Sequence, residues 1–280
     1  MTFEVDLPSA GDLQSETVLV DVHRAFGARP RGTRLVLLSD FDGTLAEFDV
    51  DPAAPHIRSD ARAALVALSS LSDLSLGLVS GRRVADLVQR VALPREVYVA
   101  GLHGLEIAVA GRFWQHDAVA RAHDAAAALT AALATTLADV PGCHLETKGA
   151  SVAVHVRAVP RALRALVLDH ADAAAAPWLH GGGLRRLVGA DVHEYLPDAA
   201  WNKGDAVRWI AHDVERRTGQ TPWVAYFGDD LTDEDAFRAA DLSVVVGRRA
   251  SAARYRLEAP ADVALALADL AVAAATGGPP

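Results

Sequence analysis

Apolar and polar positions along this chain fall into two rhythms. From residue 34 to 101, short unbroken apolar runs alternate with stretches of helical spacing: strand 34–40, helix about 58–70, strand 75–79, helix about 83–90 and strand 97–101. Runs of this length suit strands covered on both faces, and their alternation with helices predicts an α/β fold with a doubly wound parallel sheet. Ligands of such sheets sit beyond the carboxyl ends of the strands. After Gly111 the rhythm changes. An Ala-rich helix over 117–139, strands at 143–147 and 151–157, a helix over 161–174 and strands at 184–188 and 191–196 predict a smaller inserted α+β cap. The first rhythm returns at Lys203, with strands at 221–227 and 244–246 and a closing helix over 261–275. The organisation expected is an N-terminal extension 1–33, a core of 34–112 and 195–280, and a cap of 113–194. A short helix is expected at about 16–26, and the first 15 or so residues and the closing TGGPP read as mobile.

The chemistry-bearing residues stand where those strands end. Leu35–Leu38 delivers Asp40 and Asp42 into a turn at Gly43, and their spacing of two puts both carboxylates on one side of the chain. Such a pair can divide the work of nucleophile and acid/base. Carboxylates sharing a site raise each other's pKa unless a cation compensates, so a hard cation such as Mg2+ is the expected companion. An Asx turn is the plain alternative. Strand 221–227 likewise runs into Gly228, Asp229 and Asp230. Asp233, Glu234 and Asp235 follow, and they also read as the acidic start of a helix. Strand 75–79 ends in Ser80, Gly81 and Arg82, a hydroxyl and backbone N–H groups before a helix, where phosphate is the natural ligand.

Only two lysines stand among 27 basic residues. Under that bias toward Arg, Lys203 in Asn202-Lys203-Gly204-Asp205 reads as a compact ammonium placed at a helix start to clamp phosphate, with a solvated helix-start lysine as the alternative. In the cap, Glu146 and Lys148 alternate along one strand face and Glu194 lies near the return to the core. Sequence alone reads these as a cross-strand ion pair on a solvated face. His103, between two glycines, reads as a residue of the hinge or pocket mouth, with a structural histidine as the alternative.

Length and composition narrow the class. A chain of 280 residues with 51% hydrophobic content supports one large or two modest domains with a real core. Cys143 is the only cysteine, which excludes an internal disulfide and suits a reducing compartment. The first residues lack a basic-then-apolar leader, and no apolar run approaches ~20 residues, so a cytoplasmic, non-membrane protein is expected. A net charge of −9 argues against nucleic acid as partner and leaves room for a small anionic substrate in a locally positive pocket.

These pieces resemble a known family. DFDGT at 40–44, Ser80 in SGR, Lys203 in NKG and GDDLTDED at 228–235 occur in the order and strand-end contexts of haloacid dehalogenase-like phosphatases. The likeness is closer still to the trehalose-6-phosphate phosphatases: Pro52 and Pro55 after DFDGTLAEF, Ala100 to Gly104, Glu146 to Ser151 with His155 and Arg157, Glu194 with Pro197, and GDDLTDEDAF. It spans about residues 34–247.

The resemblance implies a haloacid dehalogenase-like core with a cap, and Mg2+-dependent hydrolysis of trehalose 6-phosphate to trehalose and phosphate. It implies that Asp40 attacks phosphorus to form an aspartyl-phosphate and that Asp42 is the acid/base. Ser80 and Lys203, with Gly81 and Arg82, would hold phosphoryl oxygens. Mg2+ would be held by Asp40, the carbonyl of Asp42 and Asp229, with Asp230 or Asp233 completing or orienting the shell. Glu146, Lys148 and Glu194 would bind the unphosphorylated glucose unit, with His103, His155 and Arg157 in support. The expected partners are a small sugar phosphate and, by the same resemblance, a trehalose-phosphate synthase. Against the family's usual pattern, Leu196 replaces a base and Lys203 comes nine residues after Glu194. Two other readings therefore stay open: a phosphatase for another phosphorylated glycoside, such as sucrose phosphate, glucosylglycerol phosphate or a pseudo-disaccharide phosphate, and a catalytically silent binding module.

Overall fold

Strand β1 (Arg34–Ser39) sends alternate side chains into two apolar layers, which places it at the centre of the molecule. The computed structural model describes residues 21–47, 55–189 and 191–276. The expectations for the first 15 residues, Pro52 and the last four residues lie outside that set. Leu35 and Leu37 enter one layer, whose helices are α1 (residues 21–27), α2 (Ser59–Ser69), α3 (Val84–Val91) and α8 (Pro260–Ala275). Val36 and Leu38 enter the other, under α6 (Lys203–Thr218) and α7 (Glu234–Ala239). The short N-terminal helix packs on the core, because Val22 and Phe26 are buried and the Phe26 ring lies 6.1 Å from Trp223 and 6.4 Å from Phe227.

The large sheet has eight strands. In chain order they are β1, β2 (Leu74–Val79), β3 (Tyr98–Gly101), β4 (Glu106–Val109), β5 (Arg112–Gln115), β10 (Pro222–Gly228), β11 (Leu242–Val246) and β12 (Tyr255–Leu257), in spatial order β12-β11-β10-β1-β2-β3-β4-β5. Six are parallel, from β12 to β3, and β4 and β5 add an antiparallel edge. The chain progresses outward from β1 on one side and from β10 on the other, so the topological switch falls between β1 and β10. Open α/β sheets bind ligands at that crevice.

The cap sheet is antiparallel, in the order β6-β7-β9-β8, from β6 (His144–Thr147), β7 (Val152–His155), β8 (Leu184–Gly189) and β9 (Val192–Pro197). Helices α4 (Asp117–Thr136) and α5 (Arg161–His180) cover one face through Leu129, Leu133, Val152, Val154, Ala171 and Tyr195. The register sets Glu146, Ala153 and Glu194 in a row on the opposite face. A small alanine between two glutamates leaves space above it, and that face turns toward the core site.

Several sequence boundaries shift. The expected domain limits at 113 and 194 fall inside β5 and β9, because β5 pairs with β4 in the large sheet and β9 stays in the small one through Pro197. Helix α5 runs to His180, past the expected end at 174, and contains Pro177, which removes one donor from its last turn. Arg157 lies in a turn after β7 rather than on the strand.

Candidate active site

Asp40 follows β1 directly and its N–H donates to the Phe227 carbonyl at 2.8 Å, so β1 and β10 end level and their acids meet at the switch point. Asp40 is 5% exposed. Carboxylate oxygens of Asp40, Asp229 and Asp233 lie within 4.8 Å of one another. Lys203 Nζ reaches Asp40 Oδ1 at 2.8 Å and Asp233 Oδ1 at 2.7 Å. Its position is set locally by a capping box at the start of α6, in which the Asn202 side chain accepts from Asp205 N–H and Asp205 accepts from Asn202 N–H.

Asp233 organises this cluster. Its Oδ1 accepts from Lys203 and from Tyr226 Oη at 2.7 Å, and its Oδ2 accepts from the N–H groups of Asp229 and Asp230 at 3.1 and 3.0 Å. Four donors thus fill a fully buried carboxylate. Asp229 Oδ1 accepts from Thr44 Oγ1 at 3.2 Å. The Asp230 carboxylate turns toward the cap, lying 3.9 Å from where a Cβ at Gly189 would stand.

Burial, then the negative Asp233 and Asp229, push the Asp40 carboxyl well above the ordinary carboxylate range even with Lys203 beside it. Burial and Asp233 likewise raise Asp229 to about 7. Burial opposes the charge on Lys203, yet Asp233 and Asp40 hold its pKa above that of a free lysine. Three carboxylates around one ammonium leave an excess of negative charge in a buried site built of hard oxygen donors. A small divalent cation fits that donor set.

Asp42 faces the other way. Arg82 grips it with both arms, Nε to Oδ2 and Nη2 to Oδ1, each at 2.7 Å, and its Nη1 reaches Asp86 at 3.2 Å. Ser80 is buried at the end of β2, where its Oγ accepts from Arg82 N–H at 3.2 Å. His103 is also buried, in a turn where Leu102, His103 and Gly104 all have positive φ (49°, 57° and 94°). Such backbone costs on the order of 1–3 kcal/mol per non-glycine residue and persists where its surroundings fix it. Here His103 N–H bonds the Ser80 carbonyl at 2.9 Å and Nε2 lies 3.0 Å from Glu194 Oε2.

The cap residues are buried rather than solvated, which overturns the reading of a solvated ion pair: Lys148 is 8% and Glu194 7% exposed. Glu194 Oε1 accepts from Lys148 Nζ at 3.1 Å and Ser151 Oγ at 3.0 Å, and with His103 on Oε2 it joins cap to core. Burial works against its charge, but Lys148 and His103 hold its pKa well below the usual range. Glu146 sits 2.9 Å from His155 Nε2 and 3.7 Å from Lys148. Leu196 packs in an apolar cluster with Leu102, Leu105, Val119 and Ala150 at the junction.

One cavity of about 350 Å³ joins these groups: every site residue named from sequence lines it except Asp233, which lies beneath. Pro55, Ala153, Asp191, Val192, Thr232 and Arg249 also line it. Sequence reasoning gave no role to Thr44, Ser151, Tyr226 or Arg249. Thr44 and Ser151 adjoin recognised motifs and could have been found there; Tyr226 lies inside an apolar strand and Arg249 in a loop without pattern.

A parallel sheet with an acidic switch point and an inserted cap is the fold of haloacid dehalogenase-like hydrolases. A solved protein of that description from Bacteroides thetaiotaomicron superposes with a TM-score of 0.60 at 15% identity, covering 85% of this chain and 98% of that one. The C-terminal domain of C. albicans trehalose-6-phosphate phosphatase gives 0.78 at 21% identity, covering 91% of this chain and 97% of that one. A trehalose-phosphatase family model matches residues 38–258, and the chain belongs to that family. It is 37% identical over 270 residues to a trehalose-phosphate phosphatase of Mycobacterium marinum, covering 91% of this chain and 66% of that protein. The chain thus spans just under two thirds of that relative's length. Among the described residues, no helix is long and apolar enough to cross a membrane.

Proposed function

We propose that this chain hydrolyses trehalose 6-phosphate to trehalose and phosphate, with Mg2+ and an aspartyl-phosphate intermediate. The observation that carries this is the meeting of Asp40, Asp229 and Lys203 at the β1/β10 switch point, beneath a cap row of Glu146, Lys148 and Glu194. Asp40 attacks phosphorus and the sugar oxygen leaves. Asp42 protonates that oxygen and then takes a proton from the hydrolytic water. Both Asp42 oxygens accept one bond from Arg82, and each keeps a second lone pair at which a proton can be held. Ser80 and Lys203 hold phosphoryl oxygens as charge spreads over them. Asp40 and Asp229 would hold Mg2+, with Asp233 orienting them rather than ligating, and the ion would supply charge neutralisation at the phosphoryl group. Glu146 and Lys148 recognise the sugar, assisted by Arg157, while Glu194 joins them to His103.

Buried Leu196 and the filled Glu194 favour keeping a second reading, a different phosphorylated glycoside as substrate. We further propose a cytoplasmic location and a synthase that supplies the sugar phosphate. Phosphate release with Mg2+ across trehalose 6-phosphate, sucrose 6-phosphate, glucose 6-phosphate and glucosylglycerol phosphate, with Asp40→Asn as blank, tests the assignment. Preference for trehalose 6-phosphate supports it, preference for another moves the substrate, and no release from any overturns the enzyme reading.

A further inference from the structure

Arg249 stands on the loop after β11 and lines the cavity, with 23% of its side chain exposed. Its Nε donates to the Asp229 carbonyl at 2.6 Å and its Nη2 to the Asp230 carbonyl at 2.5 Å, while Nη2 also lies 2.6 Å from Glu234 Oε1. The flat fork of a guanidinium suits two adjacent acceptors in a way that a lysine ammonium does not. The N–H groups of the same two residues donate to Asp233. The loop from which the Asp229 carboxylate projects is therefore held from both sides, by its amides and by its carbonyls.

Arg249 is itself anchored. Arg256 on β12 donates to the carbonyls of Gly247 and Arg249, the latter at 2.8 Å. Gly247 N–H bonds Leu257 at 2.8 Å, and Glu234 accepts from Ala252 N–H at 2.9 Å. Two guanidinium groups in series thus tie the edge strand of the sheet to the backbone of Asp229.

Resting on the proposed reading of this site, we infer that Arg249 is a positioning residue that aims Asp229 toward Asp40 and so sets the affinity of the carboxylate cluster for Mg2+. Two other roles make different predictions. If Arg249 acted only as a nearby cation, its removal would strengthen Mg2+ binding, because the pocket would become more negative. If it gripped substrate, its loss would raise KM and leave Mg2+ binding alone.

The test is calorimetric titration of the protein with Mg2+ alone, for wild type, Arg249→Lys, Arg249→Met and Asp229→Asn. Groups that orient metal ligands typically govern affinity by about 10–100-fold, and weakening in that range is expected for Arg249→Met and, despite retained charge, for Arg249→Lys. The Mg2+ requirement for phosphate release shifts by the same factor, while KM for the sugar phosphate at saturating Mg2+ stays within about twofold. Unchanged or tighter Mg2+ binding overturns the inference, as does a raised KM with Mg2+ binding intact. Where Arg249→Met fails to fold, as judged by thermal unfolding in EDTA, Arg249→Lys carries the test. A wild-type protein that binds no Mg2+ overturns the underlying reading, an outcome distinct from variants that match a Mg2+-binding wild type.

Discussion

Asp233→Asn isolates what the buried carboxylate beneath the cavity contributes. The aspartate accepts four hydrogen bonds, two on each oxygen. An asparagine retains one acceptor oxygen and places an NH2 group where two donors already point. Either the N–H groups of Asp229 and Asp230 or those of Lys203 and Tyr226 lose their acceptor. Leaving two buried donors unpaired costs about 1–3 kcal/mol each, hence about 2–6 kcal/mol in all. Lys203 keeps Asp40 as a partner, so its charge is not stranded. Removing one negative charge also relieves Asp40 and Asp229, both of which Asp233 pushes up. These offsets set the expectation at about 3 kcal/mol, within the range for disturbing a buried ion pair. Equilibrium urea denaturation in EDTA measures it, with an unchanged slope confirming that the unfolded state is not altered. A loss below about 1 kcal/mol would refute the argument, since no such set of four bonds could then be holding the loop.

Three further outcomes follow from the same geometry. Lys203→Met should lower kcat by about 10²–10³-fold or more, read by phosphate release at saturating substrate, because in the proposed reading the ammonium faces the phosphoryl oxygens as charge develops. In EDTA the protein should lose stability as pH rises from 5 to 8. The fold holds a proton on Asp229 up to about 7, whereas the unfolded chain releases it near 4, so the folded state binds more protons across that window and stability falls. Mg2+ should reverse the trend, and denaturation midpoints that rise with pH in EDTA would contradict it. Glu194 acts in the opposite sense on the acid side: its depressed pKa contributes stability above the ordinary glutamate value, lost as pH falls. Glu194→Gln should accordingly flatten that acid limb and raise KM more than it lowers kcat, as steady-state kinetics and acid unfolding would show.

The candidate chemistry-bearing residues stood out because each follows an apolar run: Asp40, Ser80 and Asp229 lie at the ends of β1, β2 and β10, which are neighbours in the sheet. The proposed division of labour among Asp229, Asp230 and Asp233 was not legible, since it rests on which carboxylate the backbone N–H groups fill. The β4–β5 hairpin escaped notice because its strands are four residues long and β5 exposes Arg112, Phe113 and Gln115, giving no buried pattern. Glu194 and Lys148 looked like surface charges in sequence. Glu194 bonds His103, 91 residues earlier in the chain, and no local pattern reports so distant a partner. The same holds for Arg249, whose hydrogen bonds go to backbone carbonyls and therefore leave no trace in side-chain motifs.

The most direct test of the account is to stop turnover of trehalose 6-phosphate with acid and locate the phosphoryl group by peptide mass spectrometry. The account predicts a phosphorylated Asp40 in the wild type and none in Asp40→Asn. Turnover of the sugar phosphate by Asp40→Asn, or a phosphoryl group on any other residue during wild-type turnover, would contradict it.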